Sequence, residues 1–273
     1  MILKSKMPPP FLPKLGQATI LEMGLGQLAP SEWMLVDEDA TVFLSHKLEQ
    51  QRKHPDQIYQ TLPASKDAQS EFSSFLEAHL IADHKFQRTD TDKLINPQFG
   101  LEWKGSERDL WSASLWVQED ICLLEEIKEE YILSAASICS PSNWDMPSKI
   151  GKPVSEIHNP VPGYKNQMSN KVDRLMRNLK PGKPLKRFNW SIQPHGDLYW
   201  KTDVDIKKET LQKHWRVERQ TLLRLPSTNA IVFGIRVFLH SFTAMAKIRG
   251  FDNAIAAIIE RLPKEQSIYK NLL

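Results

Sequence analysis

The chain has 273 residues, 41% hydrophobic and 25% charged, values typical of a globular protein able to bury a core without covalent staples. Its 36 Lys and Arg against 33 Asp and Glu leave a net charge of +3, too small a bias to point to nucleic acid or an anionic membrane as partner. Two cysteines, Cys122 and Cys139, imply neither a disulfide framework nor a metal site built from thiolates alone, and they fit a reducing, cytoplasmic setting.

In chain order, MILKSKMPPPFLPK lacks the continuous apolar run of a secretory signal, and no run of about 18 apolar residues predicts a membrane span. Pro8, Pro9, Pro10, Pro13 and Pro30 mark residues 1–30 as a proline-rich surface arm, with 31–273 a single domain. EWMLVDED (32–39) reads as a strand ending in an acidic turn, with Asp39 as cap of a helix that stops before Pro55. Phe72, Phe75, Leu76, His79 and Leu80 recur at helical spacing and predict a helix over 66–84, with His79 at the edge of its apolar stripe. His46, His54 and His84 stand in polar surroundings and read as solvated.

DLWSASLWVQEDICLLEE (109–126) is too apolar for a surface loop, and 131–144 reads as a buried strand stopped by Pro141. In EIHNPVPGY (156–164), Pro160 and Pro162 fix their own φ and bias Asn159 and Val161 toward extended conformations. His158 is therefore expected at the head of a stiff, extended, non-helical loop. A helix follows between Gly163 and PGKP (181–184), with Met168, Val172, Leu175, Met176 and Leu179 inward and Lys165, Lys171, Arg174 and Arg177 toward solvent. HWRVERQTLLRLP (214–226) and AIVFGIRVFLHSF (230–242) predict two strands joined by Pro226–Asn229. Arg216, Glu218, Gln220 and Arg224 fall on one face of the first, Trp215, Val217, Arg219 and Thr221 on the other. A last helix is predicted over 252–263. The fold class is α+β.

GLGQLA (24–29) has no Walker lysine and no complete dinucleotide fingerprint, and the zinc-protease and serine-hydrolase signatures are absent. A haem asks for less: one imidazole on the iron, apolar and aromatic walls, and arginines for the propionates. His158, tryptophans at 111, 116, 144, 190, 200 and 215, and arginines at 187, 216, 219, 224 and 236 permit such a site, and satisfied packing roles explain the same residues.

The order of blocks is more specific. QEDICLL (118–124), CSPSNWDMPSKIGKPVSEIHNPVPGY (139–164), FNW (188–190) and RVERQTLLRLP (216–226) together resemble the family related to the haem-dependent oxidative N-demethylase α subunit, from about 31–39 to 268–273. The resemblance implies a PAS-like antiparallel sheet elaborated with helices and holding a b-type haem. It implies an oxidoreductase of monooxygenase type that uses dioxygen to convert a small secondary methylamine to the primary amine and formaldehyde, which a folate can take up. Electrons would come from separate reductase subunits or a ferredoxin, since this chain has no dinucleotide fingerprint for a flavin partner and too few cysteines for an iron–sulfur cluster. His158 is the first choice of axial and metal ligand, with His214 and His240 as alternatives and His195 behind them. Arg219 and Arg224 are placed at the propionates or in ion pairs that fix the strand, and Trp190 and Trp144 at the pocket wall or in the core. Glu119, Asp120 and Glu218 are the carboxylates that could hold the amine. The alternative reading is a non-catalytic PAS-like sensor or small-ligand module.

Overall fold

In the computed structural model, which describes residues 5–14, 17–201 and 212–272, the run with the strongest β pattern forms the centre of the molecule. Strands β9 (His214–Arg224) and β10 (Ile231–Ser241) pair antiparallel along their whole length across the Pro226–Asn229 loop, as the alternation predicts. On either side lie β8 (Leu185–Gln193), against β9, and β6 (Asp120–Ile127), against β10. Beyond β6 come β7 (Glu130–Ser137) and β2 (Tyr59–Thr61), and beyond β8 the two-residue β1 (Gly26–Gln27). The seven-stranded sheet thus runs β1-β8-β9-β10-β6-β7-β2, and every pairing in it is antiparallel. A small separate sheet holds β3 (Gln87–Arg88), β4 (Lys93–Asn96) and β5 (Leu101–Lys104).

Helices cover both faces of the main sheet. Along β10, Val232 and its neighbour Ala230 face a core with Trp33, Phe72, Leu76 and Leu80, while Ile231, Phe233 and Ile235 face the opposite layer with Leu133, Met146, Val154 and Met176. The first layer is built on α3 (Lys66–His84), found where the apolar spacing predicts it, with α4 (Leu110–Ser114) at its side. The second carries α5 (Val154–Ile157), α6 (Tyr164–Gln167) and α7 (Ser169–Asn178). The remaining helices are α1 (Ala40–Lys53), α2 (Pro55–Ile58), α8 (Phe242–Met245), α9 (Phe251–Arg261) and α10 (Lys264–Tyr269). No helix among the described residues is long and apolar enough to cross a membrane.

Three local expectations need correction. Residues 32–39 are not a strand. A 3₁₀ turn at Pro30–Glu32 leads into an irregular segment whose amides at Leu35 and Asp37 donate to the side chains of Glu119 and Gln118, each at 2.9 Å, so a side-chain ladder replaces a backbone one. Asp39 stands before α1 but makes no capping bond; its carboxylate turns inward to Arg236. His46 is buried rather than solvated, and its Nε2 donates to the carbonyl of Cys139 at 2.8 Å.

The described part of the proline-rich arm lies across the β8 end of the sheet. Phe11 stacks on Phe188 at 5.6 Å, its carbonyl accepts a bond from Trp215 Nε1, and the amide of Ile20 donates to Gln266 Oε1 in α10 at 2.9 Å.

Gly234 is required by close packing at the centre of β10. A Cβ there would sit 2.8 Å from Thr221 Oγ1 and under 4 Å from Met34 and Glu119. Gly234→Ala should therefore lower the urea-unfolding free energy by about 1–2 kcal/mol, although alanine in a strand is otherwise favoured over glycine.

Candidate functional site

The register across the sheet lines up Arg187, Gln220, Ile235 and Asp120 in one row, and Asn189, Glu218 and Val237 in the next, so these side chains share a face. It is the face covered by α5 to α7, because Val154 and Ile157 pack in the same cluster as Leu222, Ile231, Phe233 and Ile235. Phe233, Ile235, Arg187, Asn189 and Glu218 stay half-buried in the middle of an otherwise closed sheet. This is an apolar floor edged by polar groups and reached by solvent.

His158 stands at its rim. The prolines do not hold this histidine in an extended loop; the backbone turns instead. Val154–Ile157 forms one helical turn, His158 closes it with φ −92° and ψ 4°, and its amide donates to the carbonyl of Val154. The next bonds, Val161 to His158 and Tyr164 to Val161, are turns as well. Proline constrains itself and its predecessor, which leaves His158, two residues before Pro160, free to end a helix. The His158 ring stacks on Tyr164 at 4.7 Å and 16°, and its Nδ1 donates to the carbonyl of Val154 at 2.8 Å. That bond fixes the tautomer and leaves the lone pair on Nε2, the arrangement that orients an imidazole toward a metal. Burial lowers the pKa of His158.

Arg187 is the arginine electrostatically coupled to His158, Tyr164 and Glu218. It donates through Nη2 to the carbonyl of Glu22, and its Nε is buried without a partner. Glu218 is the hub of the polar edge. It accepts from Arg216 Nε at 3.0 Å, Asn189 Nδ2 at 3.1 Å and Gln220 Nε2 at 3.0 Å. Burial works to raise its pKa, but Arg216, Asn189 and Lys270 outweigh it and hold the carboxyl below its usual range. Lys270, buried, donates to Asn189 Oδ1 and the carbonyl of Trp190, and burial pushes its pKa down to about 8.

The other residues singled out in the sequence are distributed differently. Arg219 lies on the opposite face and donates to the carbonyls of Glu32 and Trp33, holding the irregular 30–39 segment against the sheet. Arg224 shares the face of His158 but spends its guanidinium on the carbonyls of Leu179, Met176 and Asn229 and the hydroxyl of Tyr131, clamping the end of α7. It borders a recess of about 420 Å³ whose walls do not include His158. Trp190 stacks on Trp215 at 4.9 Å in the core of the far face, while Trp144 is half-buried beside the Met146–Val154 layer. His214 donates from Nδ1 to the carbonyl of Gln212, His195 accepts from the amide of Asp197, and His240 has a buried, unpartnered Nε2 and a pKa lowered by burial to about 4. These three do not join His158. No group of three or more His, Cys, Asp or Glu among the described residues is arranged to hold a metal ion, so any metal here would bring its own ligands. Arg187 is only one of five strand arginines in the sequence; the cross-strand register is what sets it apart.

Fold and site together define a mixed helix and antiparallel-sheet protein with an oriented imidazole, that of His158, at the rim of a half-open apolar floor. Residues 24–273 match the family described as haem-dependent oxidative N-demethylase, alpha subunit-like. The chain belongs to this family, in agreement with the resemblance of its ordered motifs, and the match begins within the tail of the proline-rich arm.

Proposed function

We propose that this chain is the haem-binding oxygenase component of an oxidative N-demethylase acting on a small secondary methylamine. The observation that carries the reading is His158, with Nδ1 tied to a backbone carbonyl and Nε2 left as the lone-pair donor, at the rim of a floor edged by Arg187, whose buried Nε has no partner. Those groups match what a b-type haem needs: one imidazole, apolar contact from Phe233 and Ile235, and a guanidinium for a propionate. Arg187 takes the propionate role in preference to Arg219 and Arg224, whose donors are already committed. The order of the five central strands, β8-β9-β10-β6-β7, supports a PAS-like assignment.

When bound, haem supplies dioxygen activation and one-electron chemistry. The chain's residues provide the rest. Phe233 and Ile235 give the group an apolar surface to lie on, which would displace the water that reaches the floor. Of the three carboxylates Glu218 alone is half-buried on the floor's face, where a substrate ammonium would share it with Arg216. Glu119 and Asp120 are fully buried and bound to backbone amides of Leu35, Cys139 and Ser140. Amine, dioxygen, two electrons and two protons give the demethylated amine, formaldehyde and water. The electrons come from a separate reductase or ferredoxin.

Titrating the purified chain with haem and recording the Soret band and the low-temperature electron paramagnetic resonance spectrum tests the reading. The wild type should bind one equivalent. His158→Ala should lose the axial imidazole signature, regained on adding imidazole, while His214→Ala and His240→Ala should keep it. Loss of ligation in His240→Ala with His158→Ala unchanged would move the site to the other face. Haem binding with no amine-dependent oxygen uptake would favour the sensor reading.

A further inference from the structure

The chain's charge is segregated. Between residues 146 and 187 there are ten Lys or Arg and two Asp or Glu, while the rest of the chain has 26 basic and 31 acidic residues. Lys165, Lys171, Arg174, Arg177, Lys180 and Lys183 are exposed on α6, α7 and the turn that follows. Among the described residues none of these six has a carboxylate within 4.0 Å; Arg177 donates to the carbonyl of Glu129. Elsewhere several surface cations stand in ion pairs, as at Lys53–Glu49, Lys93–Glu102 and Arg88–Glu77. A helix face of unneutralised like charge is held against its own repulsion, a cost that suits it to an oppositely charged partner.

This face is also the outer side of the segment that packs against the imidazole. Tyr164, the first residue of α6 and neighbour of Lys165, is buried and stacked on His158. Its ring joins the cationic helix to the imidazole. From this we infer that the α6–α7 face is the docking surface for an acidic electron-donor protein, which seats over Tyr164 and delivers the two electrons each turnover consumes. The inference rests on the haem reading above. Two features weigh against other polyanions. The patch has no exposed aromatic ring on which a base could stack. Met168, Met176 and Leu179 are turned inward, leaving it without the interleaved apolar residues of a membrane-surface helix.

The test uses the haem-loaded full chain and, as probe, an acidic plant-type two-iron ferredoxin kept reduced by its NADPH-dependent reductase. Stopped-flow reduction should slow about tenfold or more from about 0.05 M to about 0.5 M salt, as expected for steered association. Lys165→Glu/Lys171→Glu/Arg174→Glu should slow it about tenfold at the lower salt, with the Soret band and reduction by dithionite unchanged. The same three positions changed to Gln should give a smaller loss and serve if the reversal does not fold. Lys93→Glu/Lys104→Glu, on the small sheet, should match the wild type. Equal rates in all variants, or an equal fall in the control, would overturn the inference. If the chain takes up no haem, the reading of function fails by itself. Calorimetric binding of oxidised ferredoxin to the haem-free chain then decides, since binding abolished by the triple reversal supports the surface and absence of binding sinks it. Tighter binding of a duplex DNA of about 20 base pairs than of ferredoxin at equal salt would also overturn it.

Discussion

Arg236→Ala is expected to cost about 3–5 kcal/mol, the largest of the stability losses predicted for this chain. The guanidinium is fully buried between Phe43 and Phe238, with its centre 4.0 and 4.8 Å from their rings. It bonds both oxygens of Asp37 at 3.1 and 3.0 Å, reaches Asp39 Oδ2 at 3.4 Å, and donates to the carbonyl of Val237 at 2.7 Å. Removing it leaves two carboxylates close together in a poorly hydrated place, where burial already raises the pKa of Asp39 and Arg236 opposes the rise. Arg236→Lys keeps one charge but cannot fork between two acids, and should lose less. Urea titrations followed by far-ultraviolet circular dichroism give the free energies. If Asp37→Asn in the Arg236→Ala background recovers no stability, the unpaired charge is not the cause.

The second large effect is acid destabilisation between pH 6.5 and about 4. His46, His79 and His240 each have a folded-state pKa lowered by burial from 6.5 to about 4. The unfolded chain therefore takes up these protons first as pH falls. The stability tied to the neutral imidazoles is fully present above about 6.5 and is lost on acidification toward pH 4. For His46, the most buried of the three, the gap is worth about 3 kcal/mol. Glu119 and Asp120, whose pKa values burial raises, have the opposite sign and gain as pH falls. A His46→Gln variant separates the two, since glutamine has a donor for Cys139 but no proton to bind. Its stability should change less with pH across this window than the wild type's, by about one proton in slope. Parallel curves would assign the acid sensitivity to other groups.

Legibility in the sequence follows locality. The helix over 66–84 and the β9–β10 hairpin are readable because their apolar spacing is set within each element. The motif blocks carry the family, since blocks in fixed order record the whole chain. The 32–39 segment misleads because Met34, Leu35 and Val36 look like a strand, while the groups that satisfy its amides lie 81 and 84 residues away. His46 looks solvated because its neighbours in sequence are polar, although its partner is in the strand-end turn at Cys139. His158 is legible as a residue of interest but not in its conformation. Arg187 cannot be told from four other arginines until strand register puts it in one row with Gln220 and Ile235.

The bond from the Ile20 amide to Gln266 spans 246 positions. The arm can seat only after β8 and the closing helix have assembled beneath it, which makes it the last piece to arrive and the first to let go. Its amides should exchange with deuterium well before those of the central hairpin, and a protease should nick it without unravelling the rest. Because Arg187 donates to the carbonyl of Glu22, such fraying would also loosen one edge of the floor beside His158, tying access to it to the comings and goings of a peripheral strap.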